Sequence, residues 1–332
     1  MKFQIVIPSI NFSNELEYTL KKLENQSYKK FFVTIVLDKK NKIIPKYRFD
    51  LKVLVVGKKN MSYKRNLAVK RFKSDFVGFL DSDAYPHKYW LKNVIYFIKN
   101  KKFDVVGGPS IPFPNQKFSE RISHLAKRSF FVTGNLNFRK YLAKDQYCDW
   151  LESCNFFISR KNYLKYKGMN EEKFISEDFN FFSKIYKINP DFKVFYSSKI
   201  YIHHKERNFF KFLIQRFSFG TAAFQLINFK KAFSRYQSLY PLMATVFFSI
   251  LCFLSYKSVA ILSATIFIFF LAQLMIIFEI FRYIKNFNTF VSVLILINFA
   301  NLFFALGSLC SIFLNLNKNL IKNIYISSRS NK

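Results

Sequence analysis

Asp81 and Asp83, separated by Ser82, stand where an apolar run (Phe76-Val77-Gly78-Phe79-Leu80) ends. Apolar, β-favouring residues bounded by polar ones read as a buried strand. Carboxylates at the C-terminal edge of such a strand lie where open α/β sheets bind ligands. Two hard oxygen donors one residue apart suit Mg²⁺ or Mn²⁺, which shares its coordination sphere with a substrate's phosphate oxygens. The chemistry this permits is metal-assisted departure of a phosphate group. Turns and strand ends also produce Asp-x-Asp, so the surrounding elements have to carry the reading.

Upstream, Phe3 to Ser9 forms a first strand pattern stopped by Pro8. Leu16, Leu20 and Leu23 follow at helical spacing over Glu15 to Leu23, after a cap at Ser13 or Asn14. Phe31 to Leu37 is a second buried strand, ending at Asp38, and Leu51 to Val56 a third, ended by Gly57. A helix over Ser62 to Phe72 leads into the strand that delivers Asp81. Strand, helix, strand, strand, helix, strand with short connections predicts an α/β fold, a mostly parallel central sheet with helices on both faces.

The C-terminal third changes character. Tyr236 to Tyr256, Ser258 to Phe278 and Asn286 to Asn317 carry no charge. The first two match the roughly 20 residues of a membrane-spanning helix, and the third is long enough to span with tilt or to turn back near Asn298 and Asn301. Asn208 to Arg235 mixes phenylalanines with Lys211, Arg216, Lys230, Lys231 and Arg235, the makeup of a helix lying among lipid headgroups. The expected organisation is a catalytic domain over 1–207, an interfacial region over 208–235, transmembrane helices over 236–317 and a basic tail over 318–332. Without a charged-then-apolar leader, the domain is expected on the cytoplasmic side of a multi-pass inner-membrane protein. The tail's Lys318, Lys322, Arg329 and Lys332 also prefer the cytoplasm, which three spans would deny them.

The formal charge is +33, yet only 7 of the 53 basic residues follow Arg235. Lysines outnumber arginines 41 to 12, whereas base readout leans on Arg, and no zinc-finger or RNA-recognition signature occurs. Nucleic acid is therefore not an expected partner; anionic lipid and phosphate-bearing ligands are. Cys148, Cys154, Cys252 and Cys310 form no Cys-x-x-Cys pair, so reduced, buried thiols are expected in place of a zinc site.

With these elements in place, Ile5 to Trp90 resembles the nucleotide-binding half of inverting family 2 glycosyltransferases of the GT-A fold. The matching pieces are Val6-Ile7-Pro8, Asp38 at a strand end, Lys64-Arg65-Asn66-Leu67-Ala68, and Asp81-Ser82-Asp83 with Pro86 and Trp90 beyond. Gly107-Gly108-Pro109, Glu152-Ser153-Cys154-Asn155 leading to Arg160, and Ile175-Ser176-Glu177-Asp178 extend the resemblance over Phe3 to Gly220. Each motif is short; their order and spacing are specific.

The resemblance implies roles. Pro8 and Ser9 would lie against the nucleotide base, and Asp38 would accept a hydrogen bond from it, although Lys39 and Lys40 follow where the family often continues with acids. Lys64 and Arg65 would meet the pyrophosphate, Arg65 in a forked geometry. Asp81 would face the ribose and Asp83 would ligate the metal, with His203 completing the metal or diphosphate site. Asp178, at the start of a helix over Phe179 to Tyr186, would take the proton from the attacking hydroxyl, with Glu177 as the alternative. Gly107-Gly108-Pro109 would shape a turn on the acceptor side. The Gln-x-x-Arg-Trp signature of processive synthases is missing, since Leu213 precedes Arg216-Phe217, so addition of one or a few sugars is expected.

The expected activity is transfer of a sugar from a nucleotide-sugar donor to a membrane-associated, lipid-linked saccharide during surface-polysaccharide assembly, with Mg²⁺ or Mn²⁺. Two rivals remain: transfer directly onto polyprenyl phosphate, which needs no strong base, and a catalytically inactive membrane scaffold that keeps the fold.

Overall fold

A computed structural model describes residues 1–172, 176–223 and 239–313. Ile175, the segment 224–235 of the expected interfacial region, the end of the third apolar stretch and the basic tail lie outside the described residues. The chain forms two compact units: residues 1–114 with 138–205, and residues 115–137 with 206–332.

The first unit opens with β1 (Phe3–Pro8), α1 (Asn14–Glu24), β2 (Phe31–Leu37), β3 (Asp50–Val55), α2 (Met61–Arg71) and β4 (Phe76–Leu80). It continues through β5 (Ala84–Pro86), α3 (Trp90–Asn100), β6 (Val105–Gly107) and β7 (Ser110–Pro112). The chain then leaves for α4 (Phe118–Arg128) and α5 (Phe130–Thr133) of the second unit. It returns through β8 (Gln146–Cys148), β9 (Asn155–Ser159), α6 (Arg160–Lys165), α7 (Glu177–Ile188), β10 (Val194–Tyr196) and β11 (Ile202–His204).

Eight strands lie in the order β3-β2-β1-β4-β9-β6-β10-β8. The first four are parallel, as expected. β9 runs antiparallel to both β4 and β6, and β8 antiparallel to β10, so the parallel pattern stops at the strand that carries Asp81. β1 and β2 are buried along their whole length, which is why they read as continuous apolar runs. Phe3, Ile5 and Ile7 join Leu16, Leu20 and Leu23 of α1 and Trp90, Leu91 and Val94 of α3 in one core. Gln4 projects to the opposite face, where its side-chain amide donates to Ala68 O of α2 at 2.8 Å. Helices therefore cover both faces, in the GT-A arrangement.

Gly108 and Pro109 connect β6 to β7, and both glycines allow close backbone approach: a Cβ on Gly107 would sit 2.2 Å from Asn155 O, and one on Gly108 2.3 Å from Ile200 O. β10 and β11, neighbours in sequence, belong to different sheets. β11 pairs antiparallel with β5 and parallel with β7 in a separate three-stranded sheet.

The second unit adds α8 (Phe209–Thr221), α9 (Tyr240–Ser255), α10 (Val259–Phe281) and α11 (Phe287–Phe313). Ile122, Ala126 and Val132 share its core with Phe212, Leu213, Ile276, Ile280 and Val293. α8 crosses α11 closely: a Cβ on Gly220 would lie 2.0 Å from Phe304 O, and one on Gly307 2.1 Å from Phe217 O. The described part of the expected headgroup-lying segment is thus packed against protein on one face, with Phe210 exposed on another. α10 and α11 are long and apolar enough to cross a membrane, whereas α9 spans 16 residues. α10 leaves Ile266, Phe267, Phe270 and Phe278 exposed. The third apolar stretch does not turn back near Asn298 and Asn301; α11 runs straight through both. Asn298 is satisfied sideways, exchanging two 3.0 Å amide hydrogen bonds with Gln273 of α10.

Candidate active site

β4 ends at Leu80, and the turn into β5 presents Asp81 and Asp83. β11 supplies the third member of the cluster through its alternation. His203 pairs across β5 with Tyr85, and His204 with Ala84, so the two imidazoles face opposite ways. The His203 ring stacks on Tyr85 at 4.8 Å, and its Nδ1–H donates to Pro112 O at 2.8 Å. It is therefore His204, not His203, that the fold brings to the carboxylates. Its Nε2 lies 3.6 Å from both Asp81 Oδ2 and Asp83 Oδ1.

The donor set fits a divalent cation. One ligand atom each from Asp81, Asp83 and His204 lies within 4.8 Å of the others. His204 Nδ1 is 2.7 Å from Lys205 O, which can only accept, so a neutral imidazole turns its Nε2 lone pair toward two carboxylates. Three electron-rich atoms converging in this way are the arrangement a hard or borderline cation stabilises.

Helix α2 begins at Met61, one residue before its expected start. Asn60 is the cap, its Oδ1 accepting from Tyr63 N at 2.7 Å. The buried face of α2 is strikingly polar in its residue types: Ser62, Lys64, Arg65 and Asn66 are all withdrawn from solvent. Arg65, 1% exposed, donates from Nη2 to Asp81 Oδ1 at 2.9 Å and from Nη1 to Glu177 Oε1 at 3.2 Å. Lys64 is fully buried, bonded to Asp38 at 2.7 Å and to the Ser9 carbonyl. Burial lowers the Lys64 pKa, and Asp38 partly offsets that. Both cations are engaged by the protein itself. Arg65 joins two acidic segments, and Lys64 fixes Asp38 against the end of β1. Pro8 and Ser9 flank that contact, with Ser9 N donating to Val36 O at 2.9 Å.

Asn66 is a strut. Its amide donates at 2.8 Å to Met169 O and to Glu171, and its oxygen accepts from Tyr163 OH at 2.7 Å and Met169 N at 2.9 Å.

Asp178 and Glu177 open α7 as expected, after Ser176 in a left-handed conformation (φ 55°). Asp178 accepts from the backbone N–H of Ser153 at 3.1 Å and of Phe179 at 2.8 Å. Burial, reinforced by the adjacent Glu177 charge, pushes its carboxyl up to about 6. A half-buried carboxylate with that affinity for a proton is suited to general-base work near neutral pH. Through Arg65, Asp81 and the start of α7 belong to one hydrogen-bonded assembly.

The sequence reading passed over a second polar cluster. Lys140 reaches Glu152 at 2.7 Å and Ser110 at 3.0 Å, and Ser110 Oγ donates to Glu152 at 2.9 Å. Glu152 was visible only as part of a motif; its partners Lys140 and Ser110 lie 12 and 42 residues away in sequence, with no local signal.

The α/β sheet, the Asp-x-Asp at its parallel edge and the paired acids at a helix start define a GT-A nucleotide-sugar transferase domain. Residues 4–166 match the family model described as Glycosyl transferase family 2. The chain is 32% identical over 114 residues to the chondroitin synthase of Pasteurella multocida (strain Pm70), covering 32% of this chain and 12% of that protein. It is 34% identical over 116 residues to the poly(ribitol-phosphate) beta-N-acetylglucosaminyltransferase TarS of Staphylococcus aureus (strain Mu50 / ATCC 700699), covering 32% of this chain and 20% of that one. The chain thus spans a fifth or less of the length of these two relatives. In fold it resembles the mannosyltransferase PcManGT from Pyrobaculum calidifontis in complex with GDP-Man and Mn²⁺. The TM-score is 0.63 at 12% identity, over 95% of this chain and 88% of that one.

Proposed function

We propose that this glycosyltransferase is membrane-anchored and inverting, moving a sugar from a nucleoside diphosphate donor to a hydroxyl of a lipid-linked saccharide. The observation that carries this reading is the Arg65 bridge, which ties Asp81 on the donor side to the acidic start of α7. Pro8, Ser9 and the Lys64-fixed Asp38 receive the base, and Asp81 the ribose. Asp81, Asp83 and His204 would hold Mg²⁺ or Mn²⁺; when bound, the cation supplies Lewis-acid neutralisation of the departing diphosphate. Asp178 removes the proton of the acceptor hydroxyl as its oxygen bonds to the anomeric carbon and the nucleoside diphosphate leaves from the other side. Glu177, paired with Arg65, keeps that carboxylate's surroundings acidic and holds its affinity for protons high.

Support for the donor class comes from the mannosyltransferase neighbour, whose complex contains GDP-Man and Mn²⁺. Support for a saccharide or polyol-phosphate polymer as acceptor comes from the names of the relatives. Helices α10 and α11 support anchoring at a bilayer.

The test uses the detergent-purified full chain with UDP-glucose, UDP-N-acetylglucosamine and GDP-mannose, each with Mg²⁺ or Mn²⁺, reading released nucleoside diphosphate. Release with at least one donor, abolished by chelator and by Asp83→Ala, is expected. Unchanged release in chelator would overturn the metal-assisted mechanism.

A further inference from the structure

The Ser110–Lys140–Glu152 cluster is built from three separate parts of the chain: the first residue of β7, the last of the short helix Gly134–Lys140, and the segment entering β9. Lys140 forks onto both Glu152 oxygens at 2.7 and 2.8 Å and also reaches Ser110. The Glu152 side chain keeps 24% of its surface open and Lys140 keeps 12%. Burial alone would raise the Glu152 carboxyl, but Lys140 and Arg139 hold it down at about 2, so it stays an anion and a hydrogen-bond acceptor. A desolvated ion pair of this kind stabilises a fold no better than apolar residues of similar volume would. Fold stability therefore leaves room for a role in recognition.

The cluster's position supplies that role. Ser153, the next residue, donates its backbone N–H to Asp178. The Cys154 thiol, 4.0 Å from Glu152, is pushed well up by burial and by the charges of Glu152, Asp81 and Asp178. Glu152 is therefore one residue from the N–H that holds the base, and Cys154 beyond it lies within the influence of the donor-side carboxylate. In a displacement at the anomeric carbon, the group lying between those two is the sugar being transferred. Two residues before Glu152, the buried indole N–H of Trp150 has no hydrogen-bond partner, a deficit that a ligand hydroxyl could meet.

We propose that Ser110, Lys140 and Glu152 form the subsite that grips the hydroxyl groups of the transferring sugar and so sets donor-sugar specificity. This rests on the glycosyltransfer reading given above. Glu152 accepts from a ring hydroxyl through its open surface, and Ser110 donates or accepts beside it. Lys140 is the positioning residue that keeps the carboxylate charged and aimed. Sites that hydrogen-bond a substrate hydroxyl reject analogues lacking it far more strongly than apolar pockets discriminate by size.

Titration calorimetry on the full chain in detergent tests this, comparing UDP with UDP-N-acetylglucosamine and UDP-glucose, and GDP with GDP-mannose. The wild type, Glu152→Gln, Ser110→Ala and Lys140→Met are measured in parallel. Whichever sugar nucleotide binds more tightly than its bare diphosphate should lose about tenfold in affinity in Glu152→Gln, the range for one charge-assisted hydrogen bond. Affinity for the bare diphosphate should be unchanged, which also reports that the variants are folded. Equal affinities of wild type and all three variants for that sugar nucleotide would overturn the proposal, as would a uniform loss that extends to the bare diphosphate. Failure of the wild type to bind any nucleoside diphosphate would instead overturn the glycosyltransfer reading, and this inference with it.

Discussion

At the scale of single residues, the site turns on how the fold disposes of its charges. Asp178 is half-buried beside the buried Glu177, and its carboxyl pKa rises to about 6. As the base it must be ionised, so the rate of transfer should fall as pH drops below about 6, with the limb absent from donor binding. Asp178→Asn should lower transfer to a hydroxyl at least 100-fold at pH 7.5 while leaving nucleotide affinity intact. Folding stability runs the other way. A raised carboxyl pKa favours the protonated fold, a contribution present below about pH 4 and lost as pH rises through about 6. Arg65 carries a different burden. Removing its guanidinium in Arg65→Met strands Glu177 and Asp81 without their cation. That should cost about 3–5 kcal/mol, read as a lowered unfolding midpoint before any loss of activity is interpreted.

At the scale of elements, legibility depended on whether the information was local. β1, β2 and β4 are buried apolar runs ended by Pro8, Asp38 and Asp81, so both their existence and their functional ends could be read directly. The acidic start of α7 was equally local. Choosing between His203 and His204 required the pairing of β11 with β5, a register between residues more than a hundred positions apart. The Lys140–Glu152 pair and the antiparallel β9 were likewise invisible, because no local pattern encodes either contact. A polar buried helix face, as on α2, announces itself in sequence only as an absence of amphipathic pattern. Asn66 illustrates what it can conceal. Four hydrogen bonds from one side chain hold the 163–171 segment, so Asn66→Ala should destabilise the first unit by about 3 kcal/mol, measured by thermal unfolding. Nucleotide contacts should be lost only in proportion to unfolding.

At the scale of the whole molecule, the chain passes from the first unit to the second at residue 115, returns at 138, and leaves again at 206. A boundary near residue 207 looked natural in sequence because apolar composition rises there, but α4 and α5 are spatially part of the later unit. A fragment spanning residues 1–207 should therefore aggregate, since Ile122, Ala126 and Val132 would lose the core they share with Phe212, Ile276 and Val293. Size-exclusion chromatography checks this: the fragment should elute in the void, and the full chain in detergent as a discrete species.

The amide pair between Gln273 and Asn298 has a consequence for helix register. Under the proposed anchoring in a bilayer, each side chain has few alternatives, and the two satisfy each other in one alignment of their helices. A slip of one residue would break both shared bonds and leave Asn298 only its bond to Leu294 O, so the pair acts as a latch on the register of the hairpin.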